Sequence, residues 1–202
     1  MKVALFINGE EPNFLIDLTQ YDYVHCTDGA LDYLLKKGIV PDVISGDFDS
    51  IDPDQILDLD SEIIQTFDQE FPDFEKALQI IYSKGVEMVH VYGASGKQQD
   101  HFLGNLTSAF KYKDRMTLIF YDNYSYYFFA EKKMILESYK DRIISLMPFY
   151  ETKGIVTEGL EYPLNKEDLH LFGRVGTRNK AISEKVSIEF EEGNLLIFIM
   201  NQ

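Results

Sequence analysis

Residues 43–52, "VISGDFDSID", decide how the rest of the chain is read. An apolar run of the kind that forms a buried strand gives out into three carboxylates, Asp47, Asp49 and Asp52, spaced two and three residues apart. A surface turn needs one Asp, so a cluster at the end of a hydrophobic strand has another cause. Asp52, just before Pro53, reads as a cap, which leaves Asp47 and Asp49 as the pair to explain.

The flanking sequence repeats the pattern. "KVALFIN" (2–8), "YVHCTD" (23–28), "DVISGD" (42–47), "EIIQT" (62–66), "MVHVYG" (88–93) and "TLIFYD" (117–122) read as six strands. Between them lie helical periods at "GALDYLLKKG" (29–38), "PDFEKALQIIYSKG" (72–85) and "DHFLGNLTSAFKYKD" (100–114), the last with Leu103, Leu106 and Phe110 on one side. Such alternation predicts a parallel sheet covered on both faces. After about residue 130 short β-type segments take over, punctuated by Gly, Pro and Asn, and "EEGN" (191–194) reads as the turn of a hairpin. The expected class is α/β: a parallel-sheet α/β domain over 1–128, then an antiparallel β-sandwich domain over 129–202. The aromatic "YDNYSYYFFAEKK" (121–133) between them reads as a crossover packed between domains or subunits.

Composition narrows the function. The net charge is -15, from 34 acidic against 19 basic residues, with no basic patch, so nucleic acid is excluded as a partner. A single cysteine, Cys26, rules out an intrachain disulfide and a zinc cluster and fits a reducing, cytoplasmic setting. The apolar run at the N-terminus, about five residues, is too short for a signal peptide or a membrane span. The sequence holds 13 Tyr and 15 Phe, whose flat faces are read as core or interface.

In an open parallel sheet, ligands bind beyond the carboxyl ends of the strands. Taken in order, those ends deliver Asn8-Gly9, Asp28-Gly29, Asp47 with Asp49, Asp68 to Asp73, Gly93 to Asp100, and Asp122 to one rim. Converging carboxylates repel unless a cation lies between them, and hard oxygen donors suit Mg²⁺, which is usually shared with substrate phosphates. A phosphorylated nucleotide is the expected ligand. Asp47 and Asp49, two apart in an extended segment, would point the same way. Asp28 and Asp100 serve either this rim or as helix N-caps, and His101 either acts as a base or packs on its helix. "YGASGKQQDH" (92–101) is neither a Walker loop nor a dinucleotide fingerprint, but its glycines and helix N-terminus are suited to phosphate.

"TDGA" (27–30), "PDVISGDFDSI" (41–51), "DQEFPDFEKAL" (68–78), "YGASGKQQDHFLGNL" (92–106) and the pieces of 144–179 ending in "GRVGTRN", in this order, resemble the thiamine pyrophosphokinase (thiamine diphosphokinase) family. The resemblance implies a two-part fold and transfer of the diphosphate of ATP to the hydroxyl of thiamine, giving thiamine diphosphate and AMP with Mg²⁺, in a homodimer with sites between subunits. It implies Asp47, Asp49 and Asp73 as metal ligands, with Asp100 in the same catalytic cluster. Asp28, Lys97, Gln98, Asp100 and His101 would meet the nucleotide, and Thr177, Arg178 and Asn179 thiamine. Three positions depart from the family pattern. Gln98 stands where an arginine is usual, Pro72 where Thr is usual, and Arg178 where Ser is usual. Two rivals share the same residues: a divergent, non-catalytic member that binds thiamine or nucleotide, and another Mg²⁺-dependent nucleotide transferase.

Overall fold

The computed structural model describes residues 1–49, 51 and 54–201; Asp52 lies outside them. The chain divides into two compact units, Met1–Asn123 and Tyr124–Gln202.

The first unit carries the six expected strands: β1 (Lys2–Phe6), β2 (Tyr23–Thr27), β3 (Val43–Gly46), β4 (Glu62–Gln65), β5 (Met88–Tyr92) and β6 (Thr117–Tyr121). They pair in parallel in the order β4-β3-β2-β1-β5-β6. Val3, Ala4, Leu5 and Phe6 are all buried, which is what a central strand covered on both faces demands. The order reverses direction at β1, which has β2 on one side and β5 on the other. A crevice therefore opens beyond the carboxyl ends of β1 and β5.

The helices are α1 (Asp28–Lys36), the short α2 (Asp54–Leu57), α3 (Asp73–Ser83) and α4 (Gln99–Tyr112). Leu31 and Leu34 of α1 are fully buried, each contributing about 2 kcal/mol. The helix stops at Gly38, whose φ of 72° lets the N–H of Ile39 reach back to the carbonyl of Leu34. Helices α3 and α4 are joined by a buried carboxylate: Glu75 accepts from Lys111 Nζ at 2.8 Å and from Ser108 Oγ at 3.0 Å. On α4 the inward face is Leu106, Ala109 and Tyr112, while Leu103 is 62% exposed. The inward stripe therefore starts one turn later than its apolar periodicity indicated.

The second unit is antiparallel: β7 (Ser125–Phe129), β8 (Lys133–Glu137), β9 (Ile143–Glu158), β10 (Asn165–His170), β11 (Gly176–Lys180), β12 (Lys185–Glu189) and β13 (Glu192–Met200). The 16-residue β9 organises it, pairing with β13, β11, β12 and β10 along its length. Ile144, Leu146, Ile155, Leu169, Val186, Ile188 and Ile197 share one core.

Two expectations are corrected here. The aromatic stretch is not a crossover: its Ser125 and Tyr127 are buried in alternation, and β7 pairs antiparallel with β13. The turn at 191–194 closes no hairpin either, because β12 and β13 pair on different stretches of β9 rather than with each other. Gly193, at φ 85°, lies so close to Glu151 that an added Cβ would stand 2.1 Å from its carbonyl oxygen. No helix among the described residues is long and apolar enough to cross a membrane.

Candidate functional site

The crevice predicted by the strand order is a cleft of about 600 Å³ in the first unit. One edge of it is backed by main-chain contacts. The N–H of Gly9 donates to the carbonyl of Gly93 at 2.6 Å and that of Glu10 to Ser95 at 2.8 Å, so the segment leaving β1 runs against the turn leaving β5. Only glycine permits this approach, since a Cβ on Gly9 would stand 2.1 Å from the Gly93 oxygen. Asn105 of α4 pins the turn by donating its side-chain amide to the carbonyl of Ala94 at 2.9 Å.

The acidic wall comes from three strand ends. Asp28, Asp47, Asp49 and Asp73 all line the cleft. Asp28 is not a cap: Thr27 holds that position, and Asp28 is buried in the first turn of α1. Its carboxylate accepts from its neighbour's N–H at Gly29, 2.7 Å, and from the N–H of Phe48, 3.0 Å. Burial pushes this carboxyl up against the pull of those two bonds, and the nearby charges of Asp73 and Asp47 push it further.

Phe48 has φ 61°, so 47–49 is a turn and not the extended segment expected from the spacing. The ring of Phe48 packs on the core around Leu31 and Ile44, and the flanking carboxylates remain in the cleft. Asp47 accepts from the N–H of Asp49 and from the Gln69 amide, and these bonds, with the charge of Lys76, hold its carboxyl below the usual range.

Asp73 opens α3, where a carboxylate also complements the helix dipole. It pairs with Lys76 at 2.7 Å, and Lys76 also donates to the carbonyl of Asp68 at 3.1 Å. At 6% exposure Lys76 is a cation embedded in an acidic wall. Sequence reasoning passed over it, although its position three residues after Asp73 on a helix is the spacing of an ion pair.

The far wall carries Gly96, Lys97 and Gln98, then His101 and Asn105 one turn apart on α4. Gln98 is the N-cap of α4 with no capping bond from its side chain. Lys97 adopts φ 51° and donates to Asn8 Oδ1 at 2.9 Å. Asp100 sits in the first turn of α4, exposed beside this wall and outside the cleft lining. Thr177, Arg178 and Asn179 belong to the other unit, on β11. Thr177 and Arg178 are exposed, the latter at φ 56° with its N–H on Ser145 Oγ. Asn179 is buried and holds Tyr162: its Oδ1 accepts from the N–H of Tyr162, and its Nδ2 donates to the Tyr162 carbonyl.

No three His, Cys, Asp or Glu side chains among the described residues converge tightly enough to hold a metal by themselves. The carboxylates lining the cleft, Asp28, Asp47, Asp49 and Asp73, are hard oxygen donors of the kind that supply one or two ligands to a Mg²⁺ otherwise held by water and phosphate oxygens.

Comparison with known proteins bears on both units. Residues 17–120 match the family model described as thiamin pyrophosphokinase, catalytic domain, and residues 133–195 match that of its vitamin B1 binding domain. Thiamine pyrophosphokinase of Bacillus subtilis is 27% identical over 209 aligned residues, covering 98% of each chain. Among solved structures, thiamine pyrophosphokinase from Bacillus subtilis superposes with a TM-score of 0.82 at 24% identity, covering 100% of both chains. The enzyme from Candida albicans gives 0.88 at 18%, covering 100% of this chain and 89% of that one. The catalytic-domain match alone takes in more than half of the 202 residues, and this chain belongs to the thiamin pyrophosphokinase family.

Proposed function

We propose that the cleft is where ATP gives its terminal diphosphate to the hydroxyl of thiamine, forming thiamine diphosphate and AMP. The observation that carries this reading is the opposition, across one switch-point crevice, of a carboxylate wall and a glycine-rich wall bearing Lys97. Family membership names the acceptor.

In this reading Asp47, Asp49 and Asp73 would hold Mg²⁺, whose chemistry is to neutralise phosphate charge and polarise the phosphorus under attack. The chain's own residues orient and enclose. Asp28 fixes the turn that presents Asp47 and Asp49, and Lys76 sets Asp73. The turn at Gly96, Lys97 and Gln98 receives the phosphates at the start of α4, where unpaired backbone N–H groups favour anions. His101 lines the nucleotide side, and Asp100, exposed at the rim just outside the lining, is assigned to take the proton of a thiamine hydroxyl presented at that rim.

We assign the second unit as a β-sandwich that takes thiamine, with Thr177 and Arg178 facing it and Asn179 shaping the loop through Tyr162. The assembly in this reading is a cytoplasmic homodimer with sites between subunits, which sedimentation at micromolar concentration tests; a monomer removes that part.

The decisive experiment incubates the protein with ATP, Mg²⁺ and thiamine and resolves the products chromatographically, with Asp47→Asn as control. AMP and thiamine diphosphate appearing together, and lost in the control, are the expected result. ADP with thiamine monophosphate overturns diphosphate transfer.

A further inference from the structure

Two lysines, one behind the acidic wall and one on the cleft lining, are in opposite situations. Lys76 is buried and spent, its charge cancelled by Asp73 and its remaining donor capacity directed to the Asp68 carbonyl. Lys97 is exposed, and its ammonium donates to a neutral acceptor, Asn8 Oδ1. An amide oxygen orients an ammonium without neutralising it, so Lys97 keeps its whole charge available to a ligand. Among the described residues lining the cleft, it is the one lysine or arginine, facing Asp28, Asp47, Asp49 and Asp73.

Asn8 is itself held in place. It follows β1 at the switch point, and its amide lies over the start of α1 so closely that a Cβ on Gly29 would stand 2.8 Å from its Nδ2. The left-handed backbone at Lys97 directs the side chain back toward β1 rather than along α4. Gln98, next in the chain, carries no charge with which to do this work.

We propose that Lys97, positioned by Asn8, is the polyphosphate-binding cation of this cleft, and that it sets affinity for the triphosphate of ATP rather than the rate of transfer. The inference rests on the nucleotide reading of the cleft given above. Lys97 touches the ligand; Asn8 acts through Lys97 and is a positioning residue. A polyphosphate entering a wall of four carboxylates needs protein charge as well as metal, and hydrogen bonds to charged groups are worth about 1.5–3 kcal/mol, about tenfold to a hundredfold in affinity.

The test is calorimetric titration with Mg-ATP, and separately with inorganic triphosphate, at low ionic strength and without thiamine. Lys97→Met is expected to weaken binding about tenfold or more, and Lys97→Arg to restore it to within about threefold. Asn8→Asp discriminates between roles. It preserves the acceptor and turns the contact into an ion pair, so this inference expects weaker binding because Lys97 is now neutralised, and a much smaller further loss when the change is made in a Lys97→Met background, where direct repulsion by the new carboxylate would persist in full. In steady-state assays Lys97→Met and Asn8→Asp raise KM for ATP by a larger factor than they lower kcat.

Asn8→Asp binding Mg-ATP as tightly as wild type overturns the positioning role, and unchanged binding in Lys97→Met overturns the whole inference. A fall in kcat with KM unchanged also overturns it. Wild type that binds Mg-ATP but makes no thiamine diphosphate defeats the diphosphate-transfer reading and leaves this one standing; wild type that fails to bind Mg-ATP defeats both.

Discussion

The carboxylate of Asp28 accepts the backbone N–H of Phe48 at 3.0 Å, tying the first turn of α1 to the loop that carries Asp47 and Asp49. Gly46 makes room for this tie, since a Cβ there would meet Asp28 Cγ and Oδ2 at 2.1 Å.

Gly46→Ala is therefore expected to cost about 1–3 kcal/mol by overpacking and to cut turnover at least tenfold, with both cleft carboxylates still present. In the double variant with Asp28→Ala the Cγ and Oδ2 contacts are gone and only Cβ remains, 2.7 Å away, so the two costs add to less than their sum. Urea titrations of the four proteins measure this coupling. Strict additivity would show that Asp28 and Gly46 act independently.

Lys76→Met keeps the stem that packs in the wall and removes the charge beside Asp73. The metal-free protein should lose about 1–2 kcal/mol, discounted from a fully buried pair because Asp73 is half exposed. Millimolar Mg²⁺ should return part of that loss, supplying from outside the cation that was removed from within. Thermal midpoints with EDTA and with Mg²⁺ read the effect, and an equal loss in both would show that Lys76 serves packing alone.

Glu75 is 4% exposed and joins α3, which carries Asp73, to α4, which carries His101 and Asn105. Glu75→Ala leaves Ser108 without this acceptor and opens a gap between the helices, a loss of about 2–3 kcal/mol by chemical denaturation. Glu75→Gln, of equal volume and still an acceptor for Ser108, should lose less.

Burial, with Lys84 nearby, lowers the pKa of His25 from 6.5 to about 3; its Nε2 is 2.8 Å from Ser45 Oγ. Below pH 6.5 the unfolded chain binds a proton that the folded protein does not, so stability falls as the pH drops from 6.5 toward 3 and is unaffected by this group above that window. Between pH 6.5 and pH 5 the loss from His25 is about 2 kcal/mol. His90, lowered to about 4 mainly by burial, works in the same direction. Urea titrations near pH 7 and pH 5 should show a shallower dependence in His25→Gln, and an unchanged dependence would place the acid sensitivity elsewhere.

Gln98→Arg puts a guanidinium at a position that lines the cleft and whose side chain caps nothing. Stability should change by less than about 0.5 kcal/mol, as for other substitutions away from packed features. Affinity for Mg-ATP should rise or hold, because a guanidinium forks onto phosphate where an amide does not. A large loss in calorimetric affinity would mean that the turn is shaped around glutamine.

The parallel strands and three longer helices were legible because each imposes its own period on the apolar residues, as at Leu31 and Leu34 of α1. The carboxylates at 28, 47 and 49 stood out because each ends or follows an apolar run, and Asp73 because it opens a helix after Pro72. What stayed hidden depends on contacts distant in sequence. The left-handed turn at Phe48 is held from 20 residues away by Asp28, and the pairing of β12 and β13 is decided by a strand from 143 to 158. Asn179 reads as a ligand by position, yet its amide is committed to Tyr162, 17 residues earlier. Asp100 and His101 are adjacent in sequence, but the helix turns them about 100° apart, so only His101 reaches the cleft lining.

At the edge of the cleft, the contact between Gly9 and Gly93 is built from peptide groups alone. Such a surface has no side chains that mutation can exchange, so its shape is inherited with the backbone while the rim above it is free to drift. Gln98 and Pro72, both on the cleft lining, are what such drift looks like in a chain only 27% identical to a relative of nearly the same length. For anyone seeking to redirect this scaffold to a different phosphate donor, the practical lesson is a division of labour: redesign the rim, and leave those two glycines alone.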